Sequence, residues 1–380
     1  KDNSLTKMKP LEGILAVSLE QAVAAPYCSV RLADSGARVI KIERIDGDFA
    51  RYYDKDVKGE SANFVWLNRG KESLAVDIKN NEDQLLLKKI ISSADVYIQN
   101  LAPGAAVRAK LGSKSMRNIN KKLITCDISG YGNAGAYRER KAYDLLVQAE
   151  AGLCSITGTP ENPGRVGVSV CDLACGLNAH SAILQALLVR EKTGKGCGIE
   201  ISLFDGMADW MNVPYLQTVY GGRSINRVGL SHPSIAPYGA FNSSCGKKIL
   251  ISIQNEREWK KLCISVLNLK DLAENDKFNE PIKRVLNRKD LDNIIAKEFK
   301  KYNKEHLIKS LSEAKIAFGV LNEIKDLKNH PQLRKIKCKI GDEEIELIAP
   351  PEMSLNQEQI TKKIPKIGEN TIKIKKEFCF

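Results

Sequence analysis

Short β-branched runs alternate with segments of helical periodicity through the first half of the chain, and this alternation restricts the fold more than any other feature. GILAVSL (13–19) precedes a helical pattern with Pro26 at a first-turn position, Gly36 closes that helix, and RVIKIE (38–43) reads as the next strand. Strand, helix and strand fit within about 30 residues, the length of a right-handed βαβ unit. SLAVD (73–77), DVYIQN (95–100) and LITCDI (123–128) continue the series, separated by helical segments such as NEDQLLLKKIISSA. A long helix is expected over about 172–192, its small residues (Ala174, Gly176, Ala179, Ala182, Ala186) allowing close packing, and GIEISL (198–203) is a further strand. The pattern predicts an α/β protein with a parallel, helix-flanked sheet.

At roughly 150 residues per domain, 380 residues suggest two bodies. The texture changes near 220–239 to GGRSINRVGLSHPSIAPYG, rich in Gly, Pro and Ser, which reads as a domain crossing. The expected organisation is a large α/β domain over 1–205, a linker over 206–239 and a small α+β domain over 240–325. A return segment over 326–380 completes it, with KIPKIGENTIKIKKEF (363–378) as a tail strand packing back on the first domain.

Composition excludes several classes. With 43% hydrophobic and 28% charged residues, 27 Gly and 13 Pro, the chain is neither disordered nor collagenous. The most apolar stretch, 173–189, is interrupted by Asn178, His180, Ser181 and Gln185, as in a soluble helix and not a membrane span. KDNSLTKMKPLEG at the start lacks an apolar run, so a cytoplasmic location is expected. The ten cysteines form no CxxC and read as reduced thiols; Cys171 and Cys175 have no matching second pair, and no metal site is expected. The net charge of +13, from 59 basic and 46 acidic residues, is spread without Arg and aromatic clustering, so neither a nucleic-acid nor a membrane partner is expected.

Phosphate-binding, dinucleotide, zinc-protease and serine-hydrolase motifs are missing, and the four histidines lie far apart. What remains is a set of clusters at predicted strand ends, where open α/β sheets bind ligands. They are EQAVAAPYC (20–28), IKIERIDGDFAR (40–51), NRGKESLAVDIK (68–79), QNLAPGAAVR (99–108), KAYDLLVQAEAG (141–152) and SVCDLACG (169–176).

In this order and spacing the clusters resemble the family III CoA-transferases, the CaiB/BaiF group that also holds formyl-CoA transferase, the carnitine CoA-transferases and α-methylacyl-CoA racemase. LADSGARVIKIE with GDFAR downstream, NRGKESLAVD, QNLAPG, and the aspartate of SVCD ahead of a helix ending in REKTGKG carry the resemblance over nearly the whole chain. Within the family, FVWLNRGKESLAVD, AYDLLVQAEAGL, SLFDGMADWM and HPSIAPYGAF look most like the mesaconyl-CoA C1–C4 transferase subgroup, which moves CoA between the two carboxyls of one C5 dicarboxylate. The resemblance implies a Rossmann-like large domain beside a smaller α+β domain, an interlocked homodimer, and coenzyme A as the carried group with no metal or redox cofactor.

By the same resemblance Asp172 is the nucleophile, attacking the acyl-CoA thioester through an aspartyl anhydride and an aspartyl-CoA thioester, while Tyr143 and Gln21 orient the reacting carbonyl. It assigns coenzyme A to Ala22, Arg44, Val76, Lys79, Asn100, Leu101, Arg108 and Lys141. The chemistry suits these residues: Lys and Arg at loop positions bind phosphates by charge-assisted hydrogen bonds. From the residues alone, Asp172 reads first as a cap for the helix that follows, and each Lys or Arg reads equally as a solvated surface charge. A nucleophilic carboxylate must also be ionised yet dry, and helix N-terminal N–H groups are expected to help hold the charge.

Two departures narrow the reading. The racemase branch has a His where Tyr143 stands, so the His/Asp pair for α-proton transfer is missing. The glycine run of the formyl-CoA branch is not found between Gly239 and Gln254, where ILISIQNERE stands. The expected function is CoA transfer between small dicarboxylates, either within mesaconyl-CoA or from succinyl-CoA to a free acid. A racemase and a non-catalytic CoA- or nucleic-acid-binding protein are the alternatives.

Overall fold

The computed structural model describes residues 9–351 and 361–379. Residues 1–8, part of the opening segment read above as lacking an apolar run, lie outside them. The β-branched runs form six parallel strands, β1 (Leu15–Leu19), β2 (Arg38–Glu43), β3 (Glu72–Ala75), β4 (Val96–Gln99), β5 (Ile124–Ser129) and β6 (Gly198–Ser202), in the order β3-β2-β1-β4-β5-β6. Residues Val17, Ile40, Ile42, Leu74, Val96 and Ile98 are fully or almost fully buried, as expected for strands covered on both faces. Each such aliphatic side chain contributes about 1.5–3 kcal/mol by leaving water.

The chain divides into two compact units. Of the described residues, the first holds 9–154, 165–223, 334–351 and 361–379, and the second holds 155–164 and 224–333. Where a linker is expected over 206–239, the first unit instead has helices Leu203–Trp210 and Asn212–Val219, and the chain enters the second unit at Ser224. The second unit is built on three antiparallel strands, β7 (Tyr238–Asn242), β8 (Lys248–Ser252) and β9 (Ala317–Val320). Its own core is formed by Trp259, Phe299, Leu291 and Leu311.

The C-terminal residues return to the first unit as β10 (Lys335–Ile340), β11 (Glu343–Ile348) and β12 (Lys362–Ile364), a three-stranded mixed sheet. The expected tail strand over 363–378 is a correction: only its first two residues are strand, and Thr371–Glu377 is a helix. The reason is local to the sheet edge. Asn370 Oδ1 accepts the Ser73 N–H at 2.9 Å and Thr371 Oγ1 accepts the Ala75 N–H at 3.1 Å, so side chains cover the open edge of β3 and no added strand is needed.

Helix Val170–Thr193 is by length and composition apolar enough to cross a membrane. Its face of Cys171, Ala174, Cys175, Gly176 and Ala179 is buried in the core of the first unit, beside helix Ala24–Asp34. A Cβ at Gly176 would stand 2.6 Å from the Ala24 carbonyl oxygen, so only glycine permits this close approach.

Candidate active site

The strand order reverses between β1 and β4, and the crevice beyond their carboxyl ends is where open α/β sheets hold ligands. The chain leaves β1 as Glu20-Gln21-Ala22, and this loop is tied down from two directions. Asn100, just past β4, accepts the Gln21 N–H at 2.9 Å and donates to the Gln21 carbonyl at 2.8 Å. Ala22 sits in the left-handed region (φ 63°), a strained position for a residue with a Cβ, and its N–H donates to Asp48 Oδ1 at 3.1 Å. Asp48 is in turn held by Lys41 Nζ at 2.8 Å.

Beneath the loop Glu20 is completely paired. Oε1 accepts from Lys71 Nζ at 2.7 Å, with Lys41 Nζ at 3.4 Å, and Oε2 accepts from Ser18 and Ser29 at 2.5 and 2.6 Å. Burial alone would raise its pKa, but Lys71 and Lys41 outweigh it and hold the carboxylate at about 2. Burial wins on the other partner, lowering the Lys71 ammonium to about 8 against the pull of Glu20. Glu43 and Arg51, bonded at 2.6 Å, extend the same buried network.

Two cavities meet at this loop, sharing Gln21, Phe49 and Leu101. The smaller, about 560 Å³, has apolar walls from Leu19, Ile42, Val76 and Ile78, with Arg44 and Lys79 among its charged residues. The larger, about 740 Å³, brings Gln21, Ala22, Asn100, Leu101, Lys141, Tyr143 and Asp172 together from segments far apart in the chain. Ten of the eleven residues singled out in the sequence thus line one cavity or both. Arg108 lines neither; its guanidinium turns back toward the Pro103 carbonyl at 3.4 Å, and Val107 faces the cavity instead. Asn100 spends both polar atoms of its amide on the Gln21 backbone, so it positions that loop.

Asp172 lies in the first turn of helix Val170–Thr193 without capping it. Asp144, at the start of helix Asp144–Glu150, reaches across: its Oδ1 accepts the N–H groups of Cys171 at 2.7 Å and Asp172 at 3.2 Å. The helix-end donors expected to stabilise an ionised Asp172 are therefore engaged by a second carboxylate. Among the described residues no donor reaches the Asp172 side chain, and burial, reinforced by the charge of Asp144, pushes it up to about 7.

Three contributors escape the sequence reading. Asp144 is 28 residues from Asp172 and meets it only through the fold. Gln148, fully buried, donates to Asp144 Oδ2 at 2.7 Å and fixes its orientation. Tyr53 lines the larger cavity, and burial together with the charges of Asp48, Asp172 and Tyr143 raises its phenol to about 12. The only sequence signal for Tyr53 is its place just after GDFAR.

The arrangement defines a class: an α/β protein with a carboxylate that lines a cavity at the sheet's switch point without a hydrogen-bonding partner among the described residues, beside a slot with apolar walls whose rim carries Arg44 and Lys79 together with Asp46 and Asp77. The family model for CoA-transferase family III matches residues 11–371, and the chain belongs to that family. The chain is 33% identical over 335 residues to the succinyl-CoA:glutarate CoA-transferase of Homo sapiens, covering 87% of this chain and 76% of the relative. It is 30% identical over 336 residues to the succinyl-CoA:mesaconate CoA-transferase of Haloarcula hispanica, covering 86% and 84%. Among solved structures, a CaiB/BaiF family protein from Brucella suis superimposes with a TM-score of 0.88 at 31% identity, covering 97% of this chain and 99% of that one. The protein is thus a CoA-transferase of family III, and acyl-CoA and a carboxylate are the substrates that membership implies.

Proposed function

We propose that the protein moves CoA between small dicarboxylates, with succinyl-CoA as donor and a C4 or C5 dicarboxylic acid as acceptor, through Asp172. The observation that carries this is the Asp172 carboxylate, which lines the larger cavity with no donor among the described residues to quench it. In the first step the carboxylate attacks the thioester carbonyl, the C–S bond breaks, and an aspartyl anhydride and CoA thiolate form. The thiolate then attacks the aspartyl carbonyl, releasing the donor as its free acid and leaving an aspartyl-CoA thioester. The acceptor carboxylate attacks that thioester, and the expelled thiolate takes the acceptor's acyl group from the new anhydride, regenerating Asp172. Every intermediate stays activated, no net proton is consumed, and the thioester energy is conserved.

In this reading Gln21, Tyr143 and Tyr53 orient the reacting carbonyl. Arg44, Lys79 and Val76 hold the nucleotide end of coenzyme A in the smaller cavity, and Ala22, Leu101 and Lys141 guide the pantetheine arm. Transfer within mesaconyl-CoA is the narrower reading and rests on the motif wording given above. The names of the relatives, each pairing two acids, favour transfer between separate acids. A homodimer is supported by Trp210, Val213, Tyr215, Leu216 and Val219 on two successive helices and Tyr220 just after them, each at least 48% exposed, an apolar surface that suits burial against a second copy.

The test is to incubate the protein with succinyl-CoA plus each of a panel of C4 and C5 dicarboxylates, and separately with mesaconyl-C1-CoA alone, following acyl-CoA species by chromatography and mass spectrometry. Exchange that needs an added acid and vanishes in Asp172→Ala is expected. Isomerisation of mesaconyl-CoA without an added acid would favour the narrower reading, and no exchange in either arm would overturn both.

A further inference from the structure

A dicarboxylate entering the larger cavity meets three aspartates already there, Asp127, Asp144 and Asp172, so its second charge needs a cation in reach. We infer that Arg165 forms an anion subsite for the remote carboxylate of the acyl group, an assignment that rests on the dicarboxylate reading above.

Four cations line this cavity: Arg138, Arg140, Lys141 and Arg165. Arg140 is bonded to Glu150 at 2.9 Å and lies 4.6 Å from the centre of the Tyr137 ring, so its charge is already matched. Arg138 stands 3.5 Å from Glu139. Lys141 presents a point charge with no anchoring contact among the described residues. Arg165 differs from all three. It has no acidic partner among the described residues, and its Nε donates to the Val166 carbonyl at 3.0 Å, which steadies the guanidinium and leaves Nη1 and Nη2 for the two oxygens of a carboxylate.

The backbone beside Arg165 is also tied to the proposed nucleophile through a chain of hydrogen bonds, buried in its middle and partly buried at both ends. The Val166 N–H donates to Gln148 Oε1 at 2.9 Å, Gln148 Nε2 donates to Asp144 Oδ2 at 2.7 Å, and Asp144 Oδ1 holds the Cys171 and Asp172 N–H groups. Arg165 and Asp172 are therefore two ends of one braced unit. A substrate with a reacting carbonyl at one end and a carboxylate at the other spans such a unit, whereas a monocarboxylate engages one end only.

The experiment compares the wild type with Arg165→Met, Arg165→Lys and Arg138→Met, using succinyl-CoA and butyryl-CoA as donors and glutarate and butyrate as acceptors, singly and in competition. Donor and acceptor acyl groups occupy the same place in turn. Arg165→Met should therefore raise KM for both succinyl-CoA and glutarate roughly ten- to a hundred-fold, with kcat largely kept and preference moved toward butyrate. Arg165→Lys should fall between, and Arg138→Met should match the wild type. Unchanged dicarboxylate KM in Arg165→Met, or an equal loss with butyrate and glutarate, would overturn the subsite. A wild type that exchanges butyrate but no dicarboxylate would overturn the substrate reading itself, before any variant is compared.

Discussion

Glu20 and Asp172 are two carboxylates taken largely out of water within one unit of this protein, and burial raises the pKa of both. At Glu20 two ammonium groups and two hydroxyls more than offset that penalty, and the group sits at about 2. At Asp172 nothing among the described residues offsets it, a second carboxylate adds to it, and the group sits at about 7. The contrast separates holding from reacting. A carboxylate whose lone pairs are all engaged fixes the Gln21–Ala22 loop in its strained path but has nothing left for a substrate, while one deprived of donors keeps its lone pairs open, as the proposed attack on a thioester carbonyl requires.

The widest break in this comparison should come from Asp172→Ala. Exchange activity should fall roughly 10⁴-fold, while the urea midpoint at pH 8 stays equal to or above that of the wild type, because an unfavourable charge has been removed. A variant keeping more than a tenth of the activity would dissolve the distinction. Next, Glu20→Gln leaves Lys71 and Lys41 buried beside one counter-charge fewer and should cost about 3–5 kcal/mol in urea denaturation, with Glu20→Gln/Lys71→Met recovering part of it. Equal stability in the single variant would mean that the network contributes little.

The pH responses of the two groups should have opposite signs. Glu20 is lowered on folding, so its contribution is present above the ordinary carboxylate range and is lost as pH falls through that range toward about 2. Asp172 is raised, so its contribution to stability is present below its ordinary value and is lost as pH rises toward 7. Over the same interval the proposed nucleophile becomes ionised. Single-turnover acylation should therefore rise about tenfold per pH unit below 7 and level off above it. Asp144→Asn keeps an acceptor for the helix N–H groups but removes the charge, and should move the midpoint downward part of the way, since burial remains. A midpoint that does not move would mean the two carboxylates are not coupled.

A smaller effect tests the loop. Asn100→Ala removes both bonds to the Gln21 backbone and should lower kcat roughly tenfold with little change in the donor KM. A change confined to the donor KM would return Asn100 to the role of a direct CoA ligand.

Periodicity made the strands legible, with β2 matching RVIKIE residue for residue, because both faces of a parallel sheet are buried and the apolar runs are uninterrupted. Alternation could not give the order in which the strands lie, since that depends on crossovers and not on any run. The tail misled because TIKI alternates like a strand, while the bonds that decide its conformation come from Ser73 and Ala75, almost 300 residues away. The reading of Asp172 as the nucleophile rests on the family resemblance; taken by itself the residue reads as a cap. What sets it apart, the capping of its helix by Asp144 and the lack of a donor to its side chain among the described residues, is a relation across 28 residues that no local pattern carries.

The most direct measurement is peptide mass spectrometry of the protein after brief incubation with succinyl-CoA in the absence of an acceptor. The account predicts CoA in thioester linkage on the peptide containing Asp172, discharged by an added dicarboxylate and absent from Asp172→Ala. CoA carried on another residue, or full exchange activity in Asp172→Ala, would contradict it.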